Sequence, residues 1–192
     1  MRSRYLVATG KPAFRSRRVV VTVWGASALI AASALVAHAA GLRVNATPSM
    51  PLGLWRLGPV PGSLRAGEIV VVCPPDSAAF REALDRGYMA RGACPAGYEP
   101  LIKPVAAIAG DLVMAAADGV AVNGEPVPGT APLARDTAGR PLRPVPAGSY
   151  RVASGEVWLL SGHVRESWDS RYFGAVPAAG VQGVARPVWV VQ

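Results

Sequence analysis

Along the chain the apolar positions form one long unbroken run and then a series of short ones. Residues 19–41, from Val19 through Ala40 and Gly41, contain no Asp, Glu, Lys or Arg. About 20 residues rising 1.5 Å each cross a hydrocarbon core of about 30 Å, so this run predicts a single transmembrane helix. Beyond it the runs are strand-sized. Gly67-Glu68-Ile69-Val70-Val71-Val72 reads as a buried strand ending at Cys73-Pro74-Pro75. Residues 100–109 predict a second strand carrying Lys103, and Asp111-Leu112-Val113-Met114 begins a third. Asn123-Gly124, set between Gly119-Val120-Ala121-Val122 and Glu125-Pro126-Val127, is the strongest short hairpin signal. Glu156–Leu160 and Val188–Val191 read as later strands. One short segment, Ala78–Leu84, follows the capping candidates Asp76 and Ser77 and predicts a helix. Residues 128–149, rich in Pro, Gly and Arg, read as loop or irregular hairpin. The fold class is therefore mostly β, an antiparallel domain with a small helical insert behind one N-terminal transmembrane helix.

Composition supports that outline. The 192 residues include 21 Gly and 18 Pro, which suits short strands joined by many turns. The net charge is +8. Six cations (Arg2, Arg4, Lys11, Arg15, Arg17 and Arg18) and no acid precede the apolar run. Cations flanking the cytoplasmic end of a membrane segment explain this cluster. Nucleic-acid binding is the weaker reading, because the remaining charges are scattered and no basic, aromatic-studded motif is present. A cleaved signal peptide competes with an anchor, since Ala37-His38-Ala39 has the small-x-small form. Its apolar region should span only about 7–15 residues, so an uncleaved anchor is favoured. The organisation expected is a basic cytoplasmic tail over 1–18, an anchor over 19–41 and a domain over 42–192 on the far side of the inner membrane, in the periplasm.

The two cysteines, Cys73 and Cys94, both follow the membrane segment. An even count in an exported domain favours a disulfide over two free thiols. The bridge would close a loop of about 22 residues, bracket the helical insert at 73–94, and stabilise by roughly 3 kcal/mol in the chain-entropy model. Two cysteines and two distant histidines lack the spacing of a zinc site. No metal or cofactor is expected.

Three blocks carry candidate chemistry. The first is Thr47-Pro48-Ser49-Met50-Pro51, whose serine lies about eight residues beyond the apolar run. Its prolines constrain the backbone, which suits a fixed serine nucleophile, although a serine between prolines also serves as an ordinary turn. Thr47 offers a hydroxyl that, with the Ser49 N–H, would donate to an oxyanion. The second is Leu101-Ile102-Lys103-Pro104-Val105. A serine hydroxyl needs a base, and a lysine amine serves only if burial penalises its charged form. The apolar neighbours of Lys103 provide that setting; a lysine snorkelling its amine to water is the competing reading. The third is Ser167-Trp168-Asp169-Ser170-Arg171-Tyr172. On an extended segment Asp169 and Arg171 would share a face and pair, while Ser167 would donate to the lysine amine. The alternative for all three is a polar turn.

Taken together and in order, these blocks resemble the type I signal peptidases. The serine box is Pro48-Ser49-Met50-Pro51-Leu52-Gly53, and the lysine box is Ile102-Lys103-Pro104-Val105 with Gly110-Asp111-Leu112-Val113. The Asn123-Gly124 hairpin and the final box, Ser167 to Gly174, complete the set, so the likeness covers roughly residues 43–191. The single anchor, the small domain and the cysteine-bracketed insert are most similar to the conjugative-transfer, TraF-type branch. The resemblance implies Ser49 as nucleophile, Lys103 as general base, and Thr47 with the Ser49 amide as oxyanion donors. It implies Ser167, Asp169 and Arg171 as supporting residues and Met50 and Pro51 beside the substrate. Partners would be the lipid bilayer and a precursor polypeptide, with no nucleic acid; in that branch the precursor is pilin-like and its ends can be joined into a ring. One departure stands out: Gly162-His163-Val164 occupies the place where housekeeping members have Gly-Asp-Asn, so a Ser49–His163 pairing is conceivable beside a plain loop histidine.

Other functions fit parts of the pattern. A general signal peptidase serving many preproteins would use the same chemistry. A non-enzymatic envelope or secretion-apparatus subunit would keep the boxes for the fold alone. A self-cleaving repressor shares serine–lysine chemistry, but the membrane segment and the lack of a DNA-binding half argue against it.

Overall fold

The computed structural model describes residues 13–191. The cations Arg2, Arg4 and Lys11 and most of the expected basic tail lie outside the described residues. The chain divides into two units, residues 1–40 and 41–192.

Within the first unit, α1 spans Ala13–Ala39. It starts ahead of the apolar run, so Arg15, Arg17 and Arg18 are helical positions rather than tail. Arg17–Ala39 is 23 residues long with a mean hydropathy of 2.1. Its large apolar side chains, among them Trp24, Leu29 and Ile30, are exposed on the chain itself. Apolar residues all around a helix of this length match one that lipid surrounds.

The second unit is built on two antiparallel sheets. Its strands are β1 (Leu42–Asn45), β2 (Leu52–Leu57), β3 (Ile69–Val72), β4 (Leu101–Ala107), β5 (Leu112–Ala116), β6 (Gly119–Val122), β7 (Glu125–Val127), β8 (Gly148–Arg151), β9 (Glu156–Leu159), β10 (Val176–Pro177) and β11 (Val181–Val191). The larger sheet runs β1-β2-β11-β3-β4-β9-β10, and the smaller runs β7-β6-β5-β8. The β-branched run Ile69-Val70-Val71-Val72 fills a central position, flanked by β11 and β4. Strand β11 is longer than the Val188–Val191 segment expected from hydropathy. Irregularities at Val181/Gly183 and Pro187/Trp189 bend it, so one strand pairs first with β3 and then with β2.

Two helices serve the sheets. α2, Ala78–Asp85, follows Ser77, whose side chain makes no capping hydrogen bond. Phe80 and Ala83 of α2 pack with Val70, Val72, Val105, Val157 and Leu159, so the insert covers one face of the larger sheet. Its base is closed by the Cys73–Cys94 disulfide. α3 is a single turn, Ser170–Phe173. A second core of Ala107, Val113, Val120, Val152, Trp158 and Leu160 includes residues of both sheets. The Asn123-Gly124 hairpin forms with Asn123 at φ 51° and Gly124 at φ 87°, both left-handed, as its turn requires.

The serine box has its own structural demand. Gly53 sits at φ 135° on β2, opposite Val190 of β11, and a Cβ there would overlap the Trp189 carbonyl oxygen. Only glycine lets β11 approach this closely. Gly53→Ala is therefore expected to lower the stability of the β domain by about 1–3 kcal/mol, the usual cost of a strained backbone position, as read by urea unfolding of the detergent-solubilised protein.

Candidate active site

Strand β4 sets the position of the lysine. Lys103, Val105 and Ala107 are buried on one face of β4, as period-two alternation dictates, with Lys103 opposite Val70 of β3. The Lys103 side chain is only 3% exposed. This is a buried amine, not a snorkelling one. Burial lowers it from its ordinary 10.5 to about 8, with the Asp169 carboxylate pulling upward and the Arg171 guanidinium pulling downward. Its Nζ donates to Ser167 Oγ at 2.9 Å, and that hydroxyl is itself buried.

The loop between β1 and β2 carries Ser49, and one buried side chain shapes it. Asn45 Nδ2 donates to the carbonyls of Thr47, Met50 and Pro51 at 3.0–3.1 Å. Its Oδ1 accepts from the Thr47 N–H and the Thr47 hydroxyl. Asn45 thus ties down three carbonyls around the serine. The Thr47 hydroxyl, expected to face an oxyanion, is exposed and spends its proton on Asn45 here. Met50 and Pro51 depart from expectation. Met50 is buried with Trp55, Val71 and Ala185, and the Pro51 carbonyl accepts from Trp55 Nε1. Neither lines the cleft that holds Ser49. The apolar Met50 side chain gains more from the core than from an open groove, so these two residues anchor the loop.

The third block forms a buried ionic knot. Asp169 and Arg171 are 0% and 1% exposed and make two charge-assisted bonds, Nε to Oδ1 and Nη2 to Oδ2, each 2.8 Å. The expected pair exists, but not on an extended segment. Asp169 caps α3, accepting from the Arg171 N–H, and the guanidinium folds back over the turn. Arg171 also donates to the carbonyls of Gly129, Ser161 and Ser167. Asp169 Oδ2 accepts from the Ser161 N–H at 3.0 Å, and the Ser161 hydroxyl donates to the Ser49 carbonyl. A continuous set of hydrogen bonds therefore runs from the ion pair to the backbone of the serine, and through Ser167 to the lysine.

Ser49, Lys103, Thr47 and Ser167 all line one cleft of about 460 Å³. His163 is exposed and is not among its lining residues, so the loop reading of that histidine is the better one. Sequence reasoning missed Asn45 and Ser161. Asn45 was detectable, since Asn two residues ahead of a loop N–H is the signature of an Asx turn. Ser161 gave no signal, because its role depends on strand β9 ending beside the serine loop. The Gly110-Asp111 pair is explained by structure: Asp111 accepts from the Ile108 N–H and from Asn123, tying the lysine strand to the hairpin. Among the described residues no cluster of three or more His, Cys, Asp or Glu side chains could hold a metal ion. Chemically the cleft offers a hydroxyl, a desolvated amine and a braced polar network.

Comparison with known proteins gives a consistent picture. The chain matches the family described as "Signal peptidase, peptidase S26" over residues 15–190. It is 42% identical to a conjugal transfer protein TraF of Agrobacterium fabrum over 175 residues, covering 91% of this chain and 97% of that one. A plasmid transfer protein TraF of Escherichia coli is 41% identical over 168 residues, 88% of this chain and 92% of that one. Among solved structures, a signal peptidase I from Enterococcus faecalis is 20% identical with a TM-score of 0.36, covering 64% of this chain and 96% of that one. A match across nearly the whole chain, from its N-terminal helix to its last strand, places the protein in the signal peptidase family, peptidase S26.

Proposed function

We propose that the chain is a membrane-anchored serine endopeptidase in which Ser49 attacks the scissile carbonyl and Lys103 takes its proton. We place it in the inner membrane with the β domain in the periplasm, maturing a pilin-like precursor for conjugative transfer. The single observation that carries the chemistry is the buried Lys103 amine, lowered to about 8 and held by Ser167, in the same cleft as Ser49. The names of the TraF relatives support the role in conjugation.

The reaction follows from these groups. A neutral Lys103 amine accepts the Ser49 proton as Oγ bonds to the carbonyl carbon. The Ser49 N–H stabilises the oxyanion, and the Thr47 hydroxyl joins it by exchanging its bond to Asn45. The protonated amine then delivers its proton to the leaving nitrogen as the peptide bond breaks, giving an acyl-serine. Water resolves that ester by hydrolysis, or the precursor's own amino group resolves it by closing a ring.

Ser49→Ala and Lys103→Ala are expected to abolish processing of a co-expressed pilin precursor, while His163→Ala leaves it intact. Equal processing without Ser49 would overturn the enzyme reading, and cleavage of a panel of unrelated preproteins would make the enzyme a general signal peptidase. The product mass separates the two fates of the acyl-enzyme, since a ring is lighter than the linear peptide by one water.

The pH dependence follows from the same amine. Only its neutral form is a base, so kcat/KM should rise about tenfold per pH unit up to about 8 and then level off. Between about 8 and 10.5 the unfolded chain binds this proton and the folded chain does not, so stability rises with pH across that window. Below it the folded state bears a buried charge. Lys103→Met should thus be inactive yet more stable at pH 7, by about 3 kcal/mol for a pKa lowered by about 2.5. Asp169→Asn should lose activity together with about 3–5 kcal/mol of stability, because it strands the Arg171 charge.

A further inference from the structure

The cleft extends past the serine and lysine into a chamber walled by Trp168 and Tyr172 of the final box and by the insert and the 128–149 segment, which lie outside the catalytic boxes. Trp168, next in sequence to the lysine's partner Ser167, begins an aromatic row. It stacks on Tyr172 with centroids 4.9 Å apart and planes within 3°, and meets Tyr88 of the insert at 4.9 Å. Tyr172 Oη accepts from the Leu133 N–H, bringing in the 128–149 segment. Tyr88, Leu133, Leu142, Trp168 and Tyr172 all line the same cleft as Ser49.

These walls are cross-tied. Tyr88 Oη donates to Asp136, whose carboxylate also holds Arg140. Arg140 donates to the Arg86 carbonyl, and Arg86 donates to the Pro141 carbonyl at 2.8 Å. The disulfide fixes the insert at its base. Two segments that would otherwise be separate surface loops are bound into one rigid wall. The whole cleft, the surroundings of Ser49 and Lys103 included, holds about 460 Å³, in the range that encloses a drug-sized ligand and more than one small side chain at the cut bond needs.

We infer that this chamber is a specificity pocket for a large apolar side chain of the precursor, at a position separate from the small residue beside the cut bond. The inference rests on the peptidase reading for its substrate but not for its binding. Preorganised aromatic walls lose little freedom on binding, so they discriminate by the apolar area they cover.

The experiment uses the full chain in detergent with the Ser49→Ala substitution, so that binding is read without cleavage. Calorimetry compares peptides spanning the precursor's cleavage region in which each position in turn is Ala or Leu. At one position away from the cut bond, Leu should bind at least tenfold tighter than Ala. Leu133→Trp, which narrows the chamber, should erase that difference by weakening the Leu peptide at least tenfold more than the Ala peptide. Tyr88→Phe, which keeps the ring and cuts the tie to Asp136, should reduce the preference without abolishing it. A flat Ala/Leu profile at every distal position, or a Leu133→Trp loss equal for all peptides, overturns the pocket. Selective binding together with uncut precursor in the wild type would leave the pocket standing and remove the serine–lysine mechanism instead.

Discussion

The buried pair of Asp169 and Arg171 is the interaction on which the rest of the site depends. Neither charge reaches solvent, so each must be satisfied by the protein. The carboxylate takes two bonds from the guanidinium and one each from the N–H groups of Ser161 and Arg171. The guanidinium spends its remaining donors on backbone carbonyls of three separate segments. A hydrophobic pair of the same volume would pack as well, but it would not fix where those carbonyls lie. Here the ion pair sets the spacing between the end of β9, the start of α3 and the 128–130 turn. It thereby positions Ser161 against the serine loop and Ser167 against the lysine. Close packing reinforces it: a Cβ on Gly162 would overlap the Pro128 carbonyl oxygen.

Lys103 poses the opposite problem. It is buried with a single hydrogen-bond partner among the described residues, Ser167, and the nearest charges act in opposite directions on it. Desolvation is the dominant influence, which is why a group that would otherwise be protonated well past neutrality is poised near 8. The position must be held firmly, because any relaxation that admitted water would return the amine to its ordinary range. Central placement on β4, between β3 and β9, holds it.

Much of this was legible in the sequence, and the remainder divides along physical lines. The long apolar run, the Asn123-Gly124 hairpin, the Ile69–Val72 strand and the α2 helix announce themselves through local pattern, and the structure has each of them. The disulfide followed from cysteine count and compartment. Strands β1 and β2 did not announce themselves, because their residues alternate weakly and their pairing depends on β11 bending between two partners. The 170–173 turn read as extended because Asp169 as an N-cap and Asp169 as an ion-pair partner look alike in sequence. The burial of Met50 has no signal in the sequence, because a methionine beside a candidate nucleophile says nothing about which way the loop faces. What pattern could not supply was the connecting polar set, Asn45 and Ser161, whose partners are fixed only after the sheets form.

The disulfide and the buried lysine are linked by energetics rather than by contact. A domain of this size that keeps an ionisable amine, an ion pair and several hydroxyls out of water gives up stability for geometry. Closing the insert with Cys73–Cys94 adds roughly 3 kcal/mol in the chain-entropy model, about the size of the cost of holding the Lys103 charge at pH 7. The bridge also lies at the base of the insert that supplies Tyr88 to the cleft, so one crosslink offsets the strain of the site and fixes part of its wall. Such an arrangement requires an oxidising compartment to form. That requirement supports the periplasmic placement proposed for the β domain.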